Sequence, residues 1–253
     1  MVDVPLPAMN LRELAVLLDI DGTILDIAPT PGEVYVPATL RQTLARLSRD
    51  TGGALALVSG RSLGDIDRLF APLRLPAVGG HGAELRPRAD GDGSAPRAAP
   101  LDRKLRRQLA AVAQGTPGVL VEDKGYAFAM HYRLAPEQEG AVKTAVAAIQ
   151  AEWPEDSLEV LPGKAVLEIK STGFNKGAAI RALMQDAPFA GRRPIFIGDD
   201  TTDESAFAVL PAFDGLGFSV GRVVPGTSHC FAAPGDVRQW LERLSQARGT
   251  AEP

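Results

Sequence analysis

The sequence predicts an α/β fold: a largely parallel sheet core, split in the chain by a smaller inserted α+β unit. Three observations predict it. Apolar runs of strand length alternate with helix-period segments up to about residue 86. Hairpin signals then replace that alternation. From about residue 171 the strand–helix alternation returns and continues to the last helix-period segment.

The elements follow in order. LAVLL, residues 14–18, is a continuous apolar run of the kind covered on both faces. Residues 37–50, PATLRQTLARLSRD, set Leu40, Leu44 and Leu47 at helical spacing, with Pro37 suited to the first turn. GGALALVSG repeats the strand signal and ends at Ser59, and RSLGDIDRLF is helical through Leu63, Ile66 and Leu69. LPAVGG is a third short strand. RPRADGDGSAPRAAP, from residue 86, has no period and reads as a linker or long loop. In the inserted stretch, Leu101, Leu105, Leu109 and Val112 make one helix stripe. GVLVEDKGYAFAMHYR is a hairpin turning near Lys124 and Gly125, with Tyr126, Phe128, Met130 and Tyr132 on one face and His131 and Arg133 on the other. A helix over about 137–151 carries Val142, Val146 and Ile149, and LEVLPGKAVLEIK is a second hairpin. The core resumes with helix NKGAAIRALMQD, strand PIFIGDD, helix TDESAFAVL, strand LGFSVG and helix DVRQWLERLSQA. The expected division is a discontinuous core of residues 1–89 and 171–253 with an insert of 90–170. A cleft between two such bodies is a favoured place for a ligand.

Composition narrows the function. A net charge of −4 and a pI near 5.5 argue against nucleic-acid binding through bulk charge. The one cysteine, Cys230, excludes an intrachain disulfide and suits a reducing compartment. The N-terminal residues lack the basic start and apolar core of a signal peptide, and no apolar run reaches 18 residues. A cytoplasmic protein without a membrane partner is expected.

Two acidic groups end two predicted parallel strands: Asp19 with Asp21, and Asp199 with Asp200, Asp203 following in the next turn. Ligands of open α/β sheets bind beyond these strand ends. Converging carboxylates repel unless a cation sits among them. With oxygen donors and no His or Cys, Mg²⁺ fits and zinc does not. Helix capping by Asp199 or Thr201, and a turn at Asp19, are the structural alternatives. One carboxylate of the Asp19/Asp21 pair can attack a phosphoryl group while the other handles protons. Gly22 permits a sharp turn, and its amide can meet a phosphate oxygen. Ser59 offers a hydroxyl to phosphate or a cap to a helix starting at Arg61. Lys176 sits against the dipole at a helix start, which a bound anion would explain, as would simple solvation.

DIDGT, LVSGR, NKG and GDDTTDE resemble, in order, the four motifs of the haloacid dehalogenase-like phosphohydrolases. The resemblance implies a Rossmann-like core, with Asp19 as the nucleophile and Asp21 as the acid and base. It implies a phosphate site from Gly22, Thr23, Ser59, Gly60 and Lys176. It places Mg²⁺ on Asp19, the Asp21 backbone carbonyl and Asp199, with Asp200 or Asp203 in support. Within that superfamily, GGHGAE, VEDKGYAFAMHYR and GKAVLEIK are similar to segments of trehalose-6-phosphate phosphatases, whose α/β cap is inserted at the same place. EIKSTGFNKG departs from that pattern in lacking a proline after its basic residue, and Gly80 stands where a larger residue is common. The implied substrate is trehalose 6-phosphate, supplied by a separate trehalose-6-phosphate synthase.

A disaccharide presents hydroxyls, so its site needs polar groups in fixed directions. Glu122 with Lys124 on one face of the first hairpin, and Glu168 with Lys170 on one face of the second, where Lys164 sits near the turn, are the candidates, on a sheet side that could equally be solvated. His81 is a phosphate-side ligand or a turn residue, and His131 and Arg133 share the polar face of their hairpin. Another sugar phosphate such as glucosylglycerol or mannosylglycerate phosphate, a sugar-phosphate mutase, and a non-catalytic Mg²⁺-binding protein are the competing readings. Retention of both Asp19 and Asp21 speaks against the last. No Gly-rich segment ends in Lys-Ser or Lys-Thr, which disfavours a P-loop kinase.

Overall fold

The computed structural model describes residues 10–28, 33–91, 98–154, 157–163 and 165–246. The chain divides into two compact units. Of the described residues, 98–174 belong to the smaller one, and 10–28, 33–91 and 175–246 to the larger.

In chain order the larger unit begins with β1 (Leu14–Leu18), α1 (Ala38–Asp50), β2 (Leu55–Val58), α2 (Leu63–Phe70), β3 (Ala77–Gly79) and β4 (Glu84–Arg86). The smaller unit holds α3 (Arg103–Gln114), β5 (Leu120–Asp123), β6 (Ala127–His131), α4 (Glu139–Ala151), β7 (Leu158–Gly163) and β8 (Val166–Ser171). The larger unit resumes with α5 (Lys176–Leu183), β9 (Arg193–Gly198), α6 (Glu204–Phe207), β10 (Leu216–Val220), β11 (His229–Phe231) and α7 (Pro234–Gln246).

The larger unit is built on a seven-stranded sheet in the order β11-β10-β9-β1-β2-β3-β4. Every neighbouring pair is parallel except β3 with β4. β1 is central and buried along its whole length. Its alternate side chains feed two cores, which is why the sequence shows an unbroken apolar run. Leu14, Val16 and Leu18 join Leu40, Leu44 and Trp240 on one side. Ala15 and Leu17 join Ile180, Phe189 and Phe196 on the other. The register pairs Leu18 with Leu57 on β2 and with Ile197 on β9. β2 and β9 run one residue past β1, so the three strands end within one residue of one another and Asp19, Ser59 and Asp199 emerge at the same end of the sheet. This largely parallel core, interrupted in the chain by a smaller antiparallel unit, is the α/β architecture expected from the strand and helix pattern.

The smaller unit is an antiparallel sheet in the order β5-β6-β8-β7. One face packs Phe128, Met130, Tyr132, Leu167 and Ile169 under Leu105 and Leu109 of α3 and Val142, Val146 and Ile149 of α4. The opposite face carries the register row Glu122–Ala129–Glu168.

Two strands went unread in the sequence. β4 lies at the head of the segment taken for a loop, and β11 is three residues with one buried side chain. α2 starts at Leu63 and not at Arg61, because Ser62 is the residue that accepts the Asp65 amide at 3.1 Å. No helix of the described residues is long and apolar enough to cross a membrane.

Candidate active site

The end of β1 delivers Asp19 into a buried cluster of charges. Lys176, the first residue of α5, places its ammonium 2.8 Å from Asp19 Oδ1 and 2.6 Å from Asp203 Oδ1. Asn175 caps that helix by accepting the Ala178 amide at 2.8 Å, which fixes where α5 begins and so where Lys176 stands. Burial pushes the Asp19 carboxyl well above its ordinary range; Lys176 opposes that shift, while Asp203 and Asp199 add to it. Burial alone would lower the Lys176 ammonium, but Asp19 and Asp203 outweigh it and hold the lysine above its usual value.

Oxygens of Asp19, Asp199 and Asp203 all lie within 4.8 Å of one another, and all three residues are buried. This is an oxygen-only donor set with more negative charge than Lys176 balances, so it fits a hard divalent cation. The three are not equivalent. Asp203 accepts from Lys176 through Oδ1 and from the amides of Asp199 and Asp200 through Oδ2, the two amide bonds each 2.9 Å. It is an internal brace for the acidic turn. Asp200 caps that turn, accepting the Thr201 amide at 2.6 Å. Capping, weighed from the sequence for Asp199 or Thr201, thus falls to Asp200. Arg222 Nε reaches the Asp199 carbonyl at 3.2 Å.

Two expected phosphate contacts are committed elsewhere. The Gly22 amide is donated to the Leu25 carbonyl at 2.8 Å, closing the turn after β1. The Thr23 hydroxyl lies between Asp19 Oδ2, at 2.9 Å, and Asp199 Oδ1, at 3.2 Å. Its single hydrogen serves one carboxylate at a time. Glycine at 22 is nonetheless required: φ is +84° and a Cβ would stand 2.2 Å from Asp199 Oδ2.

β2 ends in the Ser59–Gly60–Arg61 turn. Ser59 is buried, and its Oγ accepts the Arg61 amide at 3.1 Å. The hydroxyl hydrogen remains to be donated. Arg61 grips Asp21 with two parallel bonds, Nε to Oδ2 at 2.6 Å and Nη2 to Oδ1 at 2.7 Å. Arg61 was not singled out from the sequence. Its signal was there, an arginine directly after Ser-Gly at a strand end, but its target is 40 residues away. His81 lies beside this turn, its ring against Gly60.

The smaller unit holds its own polar group. Lys124 Nζ lies 3.3 and 3.4 Å from the two carboxylate oxygens of Glu168, both side chains nearly buried. Glu122 Oε2 stands 3.7 Å from His131 Nε2, and Arg133 follows β6, half-buried. Lys170, on the same face of β8, is buried; it donates to the Phe174 carbonyl at 2.7 Å and lies 4.3 Å from that residue's ring centroid. Lys164 lies outside the described residues.

A model of the trehalose-phosphatase family matches residues 17–232, a span that includes every residue of the acidic cluster. Trehalose-6-phosphate phosphatase of Escherichia coli (strain K12) is 44% identical over 234 residues, covering 90% of this chain and 85% of that protein. A probable trehalose-phosphate phosphatase of Sinorhizobium fredii is 42% identical over 228 residues, covering 89% and 84%. A solved trehalose-6-phosphate phosphatase related protein superimposes with a TM-score of 0.71 at 25% identity, over 92% of this chain and 97% of that one. A buried aspartate–lysine centre on a parallel sheet, within a match of this length, places the chain in the trehalose-phosphatase family.

Proposed function

We propose that this protein hydrolyses trehalose 6-phosphate to trehalose and phosphate, as a step of trehalose biosynthesis. The observation that carries the reading is Asp19, a buried carboxylate at a strand end, salt-bridged to Lys176 and facing Asp199. In this reading an Asp19 oxygen attacks phosphorus and the bond from phosphorus to the sugar oxygen breaks. Asp21 gives a proton to that leaving oxygen. Asp21 then takes a proton from water as the water attacks the aspartyl-phosphate, which releases phosphate and restores Asp19. The two bonds of Asp21 to Arg61 use one lone pair on each oxygen, which leaves the other lone pair to carry the proton. Ser59 donates its hydroxyl to a phosphoryl oxygen, and Lys176 neutralises charge as it builds there.

Asp19, the Asp21 backbone carbonyl and Asp199 would hold Mg²⁺, with Asp203 and Asp200 fixing the turn that presents Asp199. When bound, the ion supplies positive charge that shields the nucleophile from the phosphate and offsets the crowding of carboxylates. Glu122, Lys124, His131, Arg133 and Glu168, with Lys164, recognise sugar hydroxyls. The Lys124–Glu168 pair supports this: both charges are already held, so little ordering is left for the substrate to drive. The reading also includes a cytoplasmic setting and a separate synthase as the source of substrate.

A phosphate-release screen over sugar phosphates, with Mg²⁺ and with EDTA, tests it. Trehalose 6-phosphate is expected to be the best substrate, with activity lost in EDTA and restored by Mg²⁺. Preference for another sugar phosphate overturns the substrate, and full turnover in metal-free protein overturns the metal assignment.

A further inference from the structure

The loop after β3 is built against the Ser59–Gly60–Arg61 turn. His81 donates its amide to the Ser59 carbonyl at 3.0 Å, and Gly80 donates its amide to the Arg61 carbonyl at 2.8 Å. Glu84 completes the seam by accepting the Leu63 amide at 2.6 Å, where α2 begins. His81 adopts φ +54° and ψ +25°, a left-handed conformation uncommon for residues other than glycine, though His is among the side chains that enter it more readily. Such a conformation persists where the surroundings over-determine it. Its consequence is visible across the seam. A Cβ on Gly60 would fall 2.3 Å from His81 Nε2 and 2.5 Å from Cε1, so the imidazole fills the space that a side chain at residue 60 would need.

We propose that His81 is a positioning residue for the phosphate side of the site: its ring and left-handed backbone clamp the Ser59–Gly60–Arg61 turn, and through Arg61 they set the Asp21 carboxylate. The inference rests on the phosphatase reading above and deepens it, because it gives His81 a role on the phosphoryl side that acts through the turn. The path is short. His81 holds the Ser59 carbonyl and Gly80 the Arg61 carbonyl, the His81 ring fills the space beside Gly60, the turn presents Arg61, and Arg61 grips both oxygens of Asp21. The same clamp orients Ser59, whose hydroxyl is the turn's other polar group.

A double-mutant cycle on Gly60→Ala and His81→Gly tests this, with kcat and KM measured on trehalose 6-phosphate and on p-nitrophenyl phosphate. Glycine at 81 keeps the left-handed backbone accessible and removes only the ring. Gly60→Ala forces the turn away from the ring and is expected to lower kcat/KM roughly 100-fold on both substrates, as for a displacement of about 1 Å. His81→Gly is expected to lower it about tenfold on both, through kcat more than KM, because a loosened turn still reaches its working position part of the time. In the double variant the added methyl finds room, so its activity should lie within about threefold of His81→Gly alone, a coupling that independent sites would not show. Losses that multiply in the double variant would overturn the clamp. A loss confined to trehalose 6-phosphate would overturn it too, and make His81 a sugar ligand. If Gly60→Ala does not fold, His81→Gly and His81→Asn decide the matter. Equal loss on both substrates at an unchanged thermal midpoint supports the clamp, and no loss overturns it. Should wild type cleave p-nitrophenyl phosphate but not trehalose 6-phosphate, the substrate assignment fails while the aryl arm still judges His81.

Discussion

Replacing Asp203 by Asn isolates what the brace does, because the shape is kept and only the donor–acceptor pattern changes. In wild type both carboxylate oxygens are acceptors: Oδ1 takes Lys176 Nζ at 2.6 Å, and Oδ2 takes the Asp199 and Asp200 amides at 2.9 Å. An asparagine has one oxygen. If it stays with the two amides, its NH₂ points at an ammonium; if it turns to Lys176, its NH₂ points at two N–H groups. Either way a charge-assisted bond is lost at a fully buried site, at a cost of about 1.5–3 kcal/mol. At about 2–4 °C per kcal/mol for a unit of this size, the midpoint should fall by about 3–12 °C. The measurement belongs in EDTA, since a bound cation would add its own stabilisation. With Mg²⁺ present, kcat should fall about 100-fold, because either Lys176 loses one of its two anchors or Asp199 loses its backbone clamp. An unchanged midpoint in EDTA would refute the idea that Asp203 is pinned as an ionised acceptor.

Three further outcomes are expected. Asp19→Asn should keep the far-ultraviolet circular dichroism spectrum and abolish turnover, since an amide is a poor nucleophile; near wild-type phosphate release by the folded variant would end the covalent mechanism. Lys124→Ala or Glu168→Ala should lower kcat/KM for trehalose 6-phosphate by about one to two decades and leave an aryl phosphate unchanged, whereas equal losses would assign the pair to folding. Arg86→Met should lower stability, because the buried guanidinium pairs with Asp67 at 2.6 and 2.7 Å and with the Leu75 carbonyl. The Arg86 hydrogen bond, against partial burial, holds the Asp67 carboxyl below its ordinary range. The stability from this shift is therefore present above the ordinary Asp value and lost as pH falls through the depressed one. The gap in midpoint between wild type and Arg86→Met should narrow on acidification, and a gap constant with pH would contradict this.

The parallel core was legible because its strands are buried on both faces and so are apolar without interruption, as in residues 14–18. β4 was not, since Glu84 and Arg86 are charged and Pro87 follows; the strand exists because a buried Arg86 finds Asp67 and a backbone carbonyl. β11 is too short for its one buried phenylalanine to register as a pattern. At the site, strand ends announced Asp19, Asp21, Asp199 and Asp200, because position along a strand is a property of the sequence. What the side chains do there was not legible. The Asp21–Arg61 grip, the inward turn of Asp203 and the Thr23 hydroxyl between two carboxylates all depend on directions that only tertiary packing sets. The Gly22 amide's bond to the carbonyl three positions on was not legible for the same reason.

The placing of β1 between β2 and β9 has a consequence for biosynthesis. Its first partner, β2, starts at Leu55, but its second, β9, starts only at Arg193. A ribosome adding roughly 5–20 residues per second leaves one edge of the most apolar strand without its partner for about 10–35 s after β1 is made. During that interval the nascent sheet can take up any other extended chain in its place. The fold's central seam thus closes late in synthesis, and conditions that slow translation, or that crowd nascent chains together, should lower the yield of folded protein before any change in its stability is felt.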